Sequence, residues 1–93
     1  TQEEAKGALS RLKPVTELRE FSDVDFVIEA ITEKEEAKID LFQKLGKILP
    51  ASSLMTSNTS SIPITRLARA SGRPEQFAGM HFMNPVPVMK LVE

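Results

Sequence analysis

The residues with the clearest capacity for chemistry lie near the end of the chain, where the only histidine, His81, stands in an apolar stretch twelve positions before Glu93. Histidine takes up and releases a proton readily near neutral pH, and a carboxylate on its far nitrogen would fix its tautomer and stabilise its charged form. The pair predicts a general base with its orienting carboxylate. The alternative is a core histidine that packs between Met80 and Phe82, and the residue pattern alone favours this structural interpretation.

A short polar run at residues 58–61, Asn-Thr-Ser-Ser, forms a second candidate site. It follows a predicted strand, and ligands of open α/β sheets bind beyond the carboxyl ends of the strands. The same side chains are typical N-caps, and Pro63 is compatible with the first turn of the helix they would cap. The run predicts an N-cap, and a capping role does not exclude a ligand contact by one of its side chains.

A third candidate lies at the end of the most apolar strand of the sequence, where Ala30, Ile31 and Glu33 come shortly after an unbroken Phe-Val-Ile run at residues 26–28. Their position at the carboxyl end of a strand favours a ligand site, and Lys38 on the following helix could reach the same place. The alternative is that Glu33 and Lys38 only solvate one face of that helix, which the charge pattern alone favours.

A rigid turn is predicted at residues 84–87, where Asn84 begins an Asn-Pro-Val-Pro sequence. Two prolines remove backbone donors and fix φ, so these residues cannot form regular strand or helix interior. A simple chain reversal and a functional turn explain the pattern equally well.

Three helices are predicted around these candidates. The first covers residues 1–12 and ends before Pro14, and the second covers residues 33–49 and ends at Pro50, with apolar residues recurring every three or four positions. The third follows the polar run at 58–61. Its predicted core residues are Ile64, Leu67 and Ala68.

Strands are predicted at residues 15–18, 25–30, 53–57 and 77–82. The apolar run in the second of these is typical of a strand buried on both faces of a parallel sheet. From residue 25 onwards the order is strand, helix, strand, helix, strand. This alternation predicts an α/β fold in which a parallel sheet is covered by helices.

Composition disfavours several classes of function. The chain has 93 residues, 12 basic against 13 acidic, and a formal charge of −1 without a basic block, which disfavours nucleic-acid binding. It has no apolar run near the ~20 residues of a membrane helix and no leader-like start, so we expect no membrane association and a soluble intracellular protein of unassigned compartment. A single histidine and no cysteine give no metal-ligand spacing.

The sequence also lacks the Gly-x-Gly-x-x-Gly loop that cradles a dinucleotide pyrophosphate. Its four glycines, at positions 7, 46, 72 and 79, are isolated from one another. From the residues alone, this absence argues against a dinucleotide site.

Three ordered motifs nevertheless resemble those of the 3-hydroxyacyl-CoA dehydrogenases, NAD-dependent enzymes of fatty-acid β-oxidation. These motifs are residues 25–33 with Lys38 beyond them, residues 58–61, and residues 81–93. The resemblance runs without an obvious gap from about residue 22 to the end of the chain. It implies a partial Rossmann-like sheet with flanking helices, in which the glycine-rich first βα unit lies upstream and a helical C-terminal domain lies outside these residues.

The resemblance also implies roles for individual residues in the oxidation of an (S)-3-hydroxyacyl-CoA to the 3-oxoacyl-CoA. His81 would take the hydroxyl proton, Glu93 would orient the imidazole, and Ser60 would bind the reacting substrate oxygen. The positions that would contact NAD are Glu33, Lys38, Asn84, Ala30, Ile31 and Asn58.

On this interpretation residues 1–93 are a piece of the NAD-binding domain, inactive alone, of a protein that binds acyl-CoA and forms a homodimer through a domain outside the piece. Two alternatives remain open. A lens crystallin resembles the same family, so the chain could be a non-catalytic structural relative, although the presence of His81, Ser60 and Glu93 weighs against it. The parent could also be a multifunctional β-oxidation protein fused to an enoyl-CoA hydratase.

Overall fold

The computed structural model describes residues 1–83, 89, 92 and 93. Asn84 and the turn predicted at 84–87 lie outside the described residues. In the described part, the helices are α1 (Gln2–Ser10), α2 (Glu35–Ile48) and α3 (Ile64–Ser71), and the strands are β1 (Phe26–Glu29), β2 (Leu54–Ser57) and β3 (Phe77–Gly79). Short 3-10 helices cover Leu18–Phe21 and Pro74–Gln76. No helix of this part is long and apolar enough to cross a membrane.

The three strands form one parallel sheet in the order β1-β2-β3. The α/β class and the parallel sheet predicted from the sequence are therefore confirmed. Glu29 pairs in register with Ser57, and Ser57 pairs with Gly79. Because the strands are parallel, these three residues end their strands side by side, and the loops that follow them leave from one edge of the sheet.

The core lies between this sheet and the pair of helices α2 and α3. Its fully or almost fully buried apolar members are Phe42, Leu45, Leu49, Met55 and Leu67. The rings of Phe42 and Phe77 pack edge to face with their centroids 4.6 Å apart. Of the predicted core residues of α3, Leu67 and Ala68 are buried and Ile64 is half-buried.

The prediction that β1 is buried on both faces is wrong for the described residues. Successive side chains of a strand alternate between the two faces of the sheet, and α2 and α3 pack on only one of them. Val27 and Glu29 point to that face, whereas Phe26 and Ile28 on the other face are 43% and 51% exposed. The side chains of the apolar run therefore lie in two different environments, one on the covered face of the sheet and one on its exposed face.

The strand predicted at residues 15–18 is also wrong. Residues 15–17 have no regular structure, and the 3-10 helix Leu18–Phe21 follows them. The side chains of Leu18 and Phe21 pack against the core. A strand needs a neighbour for its hydrogen bonds, and none of the three strands pairs with residues 15–18 in the described sheet. A helical turn lets these apolar residues reach the core without such a neighbour.

The start of α3 and the end of β3 also differ from the prediction. Residues 58–61 do not cap α3: Pro63 occupies its N-cap position, and no side chain provides a cap hydrogen bond. The strand predicted at 77–82 ends at Gly79, because its partner β2 ends at Ser57, although the Met80 amide still donates to the Ser57 carbonyl at 2.9 Å. The chain then leaves the parallel sheet for a different pairing.

Candidate functional site

A cavity of about 440 Å³ lies beyond the carboxyl ends of β2 and β3. Its lining residues are Thr59, Ser60, Gly79, Met80, His81 and Glu93. The structure thus brings together the three residues that the sequence identifies as candidates for catalysis. They come from two connections of the sheet, the loop after β2 and the segment after β3.

His81 and Glu93 are joined through their backbones. The His81 amide donates to the Glu93 carbonyl at 2.6 Å, and the Glu93 amide donates to the His81 carbonyl at 2.8 Å. Phe82 and Val92 form an antiparallel bridge next to them. Residues that exchange two such bonds stand directly opposite each other with their side chains on the same side of the ladder. The imidazole and the carboxylate therefore start from adjacent backbone positions.

Asn58 ties this segment to the sheet. Its side-chain oxygen accepts a hydrogen bond from the Phe82 amide at 3.0 Å, and its own amide donates to the Glu29 carbonyl at 2.8 Å. Asn58 thus connects the end of β1 to the residue that follows His81. The contact with NAD that the resemblance implies for Asn58 stays a prediction.

A buried ionic cluster lies at the same edge of the sheet, behind the loop that follows β1. The Lys38 ammonium is 2.5 Å from Glu29 Oε2, which also accepts the Ile31 amide at 2.7 Å. Ser57 Oγ donates to Glu29 Oε1 at 2.5 Å. Lys38 is 0% exposed and Glu29 is 3% exposed, so this pair is withdrawn from water and satisfied by polar partners.

Glu33 extends the cluster to the surface. Its Oε1 lies 3.3 Å from the Lys38 ammonium, while its Oε2 accepts the hydroxyls of Thr59 at 2.8 Å and Ser61 at 2.7 Å. These hydroxyl bonds, first from Ser61 and then from Thr59, lower the pKa of Glu33 from 4.5 to about 2, and Lys38 contributes further. Glu33 is therefore an anion across the working range of most proteins.

The predicted ligand residues near β1 differ in the exposed fraction of their side chains. Ala30 and Ile31 are exposed at the edge of the sheet, and the Glu33 side chain is 42% exposed. Lys38, by contrast, is buried beneath them. Glu33 consequently places the negative charge of the cluster at the surface, and Lys38 contacts it from the buried side.

The sequence-based site lacks four members of this arrangement, Glu29, Ser57, Thr59 and Ser61. Glu29 closes an otherwise apolar strand, and a lone carboxylate at that point is the signal that identifies it. Thr59 and Ser61 flank Ser60 in the polar run, which the sequence pattern predicts to be an N-cap. Their hydroxyls bind Glu33, 26 and 28 residues away in the chain, a contact that spacing does not reveal.

Comparison with known families places these contacts in context. The family model described as "3-hydroxyacyl-CoA dehydrogenase, NAD binding domain" matches residues 1–93. The match covers the whole chain, including Glu33, Ser60, His81 and Glu93.

Individual proteins with similar sequences or structures point to the same family. A probable 3-hydroxybutyryl-CoA dehydrogenase of Deinococcus radiodurans is 59% identical over 85 residues, which are 91% of this chain and 31% of the relative. The 3-hydroxybutyryl-CoA dehydrogenase of Bradyrhizobium diazoefficiens is 50% identical over 93 residues, or 100% of this chain and 32% of the relative. The crystal structure of FadB2 from M. tuberculosis superposes with a TM-score of 0.95 at 42% identity, covering 99% of this chain and 33% of that one. The chain thus spans about a third of each.

Proposed function

Since this chain belongs to the family of 3-hydroxyacyl-CoA dehydrogenase NAD-binding domains, we propose that the whole protein oxidises an (S)-3-hydroxyacyl-CoA to the 3-oxoacyl-CoA with NAD. The observation that supports this most strongly is the cavity lined jointly by Ser60, His81 and Glu93. The relatives named for 3-hydroxybutyryl-CoA make a short-chain acyl-CoA the first substrate to test.

His81 is the base in this proposal. Its imidazole takes the proton of the substrate hydroxyl, and the carboxylate of Glu93, which starts from the paired backbone position, orients the ring and stabilises its charged form. The Ser60 hydroxyl, exposed on the cavity wall, binds the reacting oxygen. General-base catalysis of this kind contributes about 10²–10⁴-fold to a rate.

The described residues also fit the cofactor at the neighbouring loop. A carboxylate oxygen accepts about two hydrogen bonds, so Glu33 Oε1, which Lys38 approaches at 3.3 Å, keeps room for one ribose hydroxyl. Ala30 and Ile31 would line the same edge, where ligands of parallel sheets bind. Asn84 completes the proposed set from outside the described residues. NAD, when bound, accepts the hydride from the substrate carbon.

The test is the reduction of acetoacetyl-CoA by NADH, catalysed by the whole protein and by two matched serine variants. Ser60→Ala removes the proposed oxygen ligand beyond β2, while Ser52→Ala changes an exposed serine in the turn before β2. We expect turnover by the unaltered protein, a loss of roughly tenfold or more for Ser60→Ala, and no change for Ser52→Ala. A folded protein without turnover would support the non-catalytic, crystallin-like alternative and contradict the proposal.

A further inference from the structure

The two residues that flank Ser60 in the chain bind the same carboxylate. Thr59 Oγ1 and Ser61 Oγ, its two neighbours, donate hydrogen bonds to the same oxygen, Glu33 Oε2, at 2.8 and 2.7 Å. Glu33 belongs to the connection between β1 and α2, whereas the serine belongs to the connection between β2 and α3. One carboxylate oxygen therefore ties two separate loops together at the point where Ser60 enters the cavity.

Thr59 has little freedom to leave this arrangement. It is 9% exposed, and its hydroxyl oxygen also accepts the amide of Ile62 at 3.2 Å. The hydroxyl is thus used as donor and as acceptor at once. This double use fixes the backbone on both sides of Ser60, whose own side chain stays exposed on the cavity wall.

Glu33 is itself anchored. Its other oxygen lies 3.3 Å from the ammonium of Lys38, and that ammonium is held in the interior by Glu29. Hydrogen bonds from hydroxyls to an ionised carboxylate are roughly twice as strong as those between neutral groups. The loop that carries Ser60 is therefore bound to a fixed anion that is connected to the interior of the domain.

We propose that Glu33, Thr59 and Ser61 form a clamp that positions Ser60 for the reacting oxygen of the substrate. The inference rests on the function proposed above and adds a second task to Glu33, which would couple the cofactor loop to the substrate serine. Thr59 and Ser61 are positioning residues, since they act through Ser60. The precision matters because a misplacement of about 1 Å in an active site can cost roughly a hundredfold in rate.

Ser61 offers the sharpest test, because its side chain is exposed and its described hydrogen bond is the one to Glu33. In the whole protein, Ser61→Ala should lower kcat for acetoacetyl-CoA reduction by roughly tenfold and weaken acetoacetyl-CoA binding in a calorimetric titration. NADH affinity should change little, since Glu33 keeps its charge and its contacts with Thr59 and Lys38. Ser61→Thr, which keeps a hydroxyl, should recover most of the loss.

A double-mutant cycle separates positioning from a merely structural role. In a Ser60→Ala background the clamp has nothing left to position, so adding Ser61→Ala should change kcat and acetoacetyl-CoA affinity little further. If the two losses instead multiply, or if Ser61→Ala lowers only the unfolding temperature, the clamp is wrong. If Ser60→Ala alone is as active as the unaltered protein, the proposed function of Ser60 fails first, so the two failures are distinguishable.

Discussion

The Lys38 ammonium lies 2.5 Å from Glu29 Oε2, and both side chains are almost completely buried. The contact joins the sheet to the helix that follows it, because Glu29 ends β1 and Lys38 lies in the first turns of α2. It connects further to Glu33 and through it to the loop of Ser60. The same cluster thus contains a buried ion pair and contacts the loop of Ser60, the residue proposed to bind the substrate.

Removing the cation from this pair should be costly. Lys38→Met leaves the Glu29 carboxylate buried without its counter-charge, and breaking a buried pair in this way typically costs about 3–5 kcal/mol. Lys44→Met is the matched control, because Lys44 and Asp40 form an exposed pair on the same helix at 2.9 Å. Exposed pairs contribute about 0–1 kcal/mol. Urea unfolding of the whole protein measures both, and equal losses would contradict the importance of burial.

Two glycines in helices should respond in opposite ways to alanine. A Cβ at Gly46 of α2 would lie 2.0 Å from the Ser71 carbonyl oxygen of α3, so Gly46→Ala should push the helices apart and destabilise the protein by about 1–3 kcal/mol. A Cβ at Gly7 of α1 would meet only the end of the Arg11 side chain, at 3.4 Å. Gly7→Ala should be neutral or stabilising by up to about 1 kcal/mol. Thermal unfolding that ranks the two variants the other way would refute this packing.

The contribution of Glu33 to stability should depend on pH. The ordinary pKa of 4.5 falls to about 2 in the folded protein, through the hydroxyls of Ser61 and Thr59 first. A lowered carboxyl pKa stabilises the folded state fully above the unfolded value, and the stabilisation is lost as pH falls from 4.5 towards 2. The difference in unfolding free energy between the unaltered protein and Glu33→Gln should therefore shrink over that interval. A difference that stays constant with pH would contradict it.

The hydrogen bond between the Asn58 side chain and the Phe82 amide should stabilise the segment that carries His81. Asn58→Leu leaves the amide of Phe82 without the acceptor it now has at 3.0 Å, and a donor deprived of its partner costs about 1–3 kcal/mol. Asn58→Asp keeps an acceptor oxygen and is the conservative variant. We expect Asn58→Leu to lower both stability and kcat, and Asn58→Asp to recover most of the loss. Unfolding curves and turnover that are unchanged for Asn58→Leu would show that this link does not hold the segment.

Much of the fold could be predicted because its signals are local. The amphipathic spacing of α2 and the short apolar strands before it and after it identify the βαβ arrangement, and parallel strands place their following loops at one edge. That is why Ser60 and His81, which follow different strands, meet in one cavity. The order of the motifs along the chain also identifies the family.

The wrong predictions concern properties that depend on contacts between distant parts of the chain. A local sequence pattern carries no information on such contacts. Whether Phe26 is buried depends on what covers the second face of the sheet, and whether residues 15–18 form a strand depends on a neighbouring strand. The hydroxyls of Thr59 and Ser61 could cap a helix or bind a distant carboxylate, and only the fold brings Glu33 within reach. The sequence does not predict the role of Glu29 for the same reason, because its partner Lys38 lies on another element.

We propose His81 as the base of a dehydrogenase whose cofactor is held by other residues, and one substitution separates proton transfer from cofactor binding. His81→Gln in the whole protein should lower kcat for acetoacetyl-CoA reduction by roughly a hundredfold or more, while a fluorescence titration shows NADH binding nearly intact, because the cofactor contacts proposed at Glu33 do not involve the imidazole. Turnover near that of the unaltered protein would show that His81 is not the base.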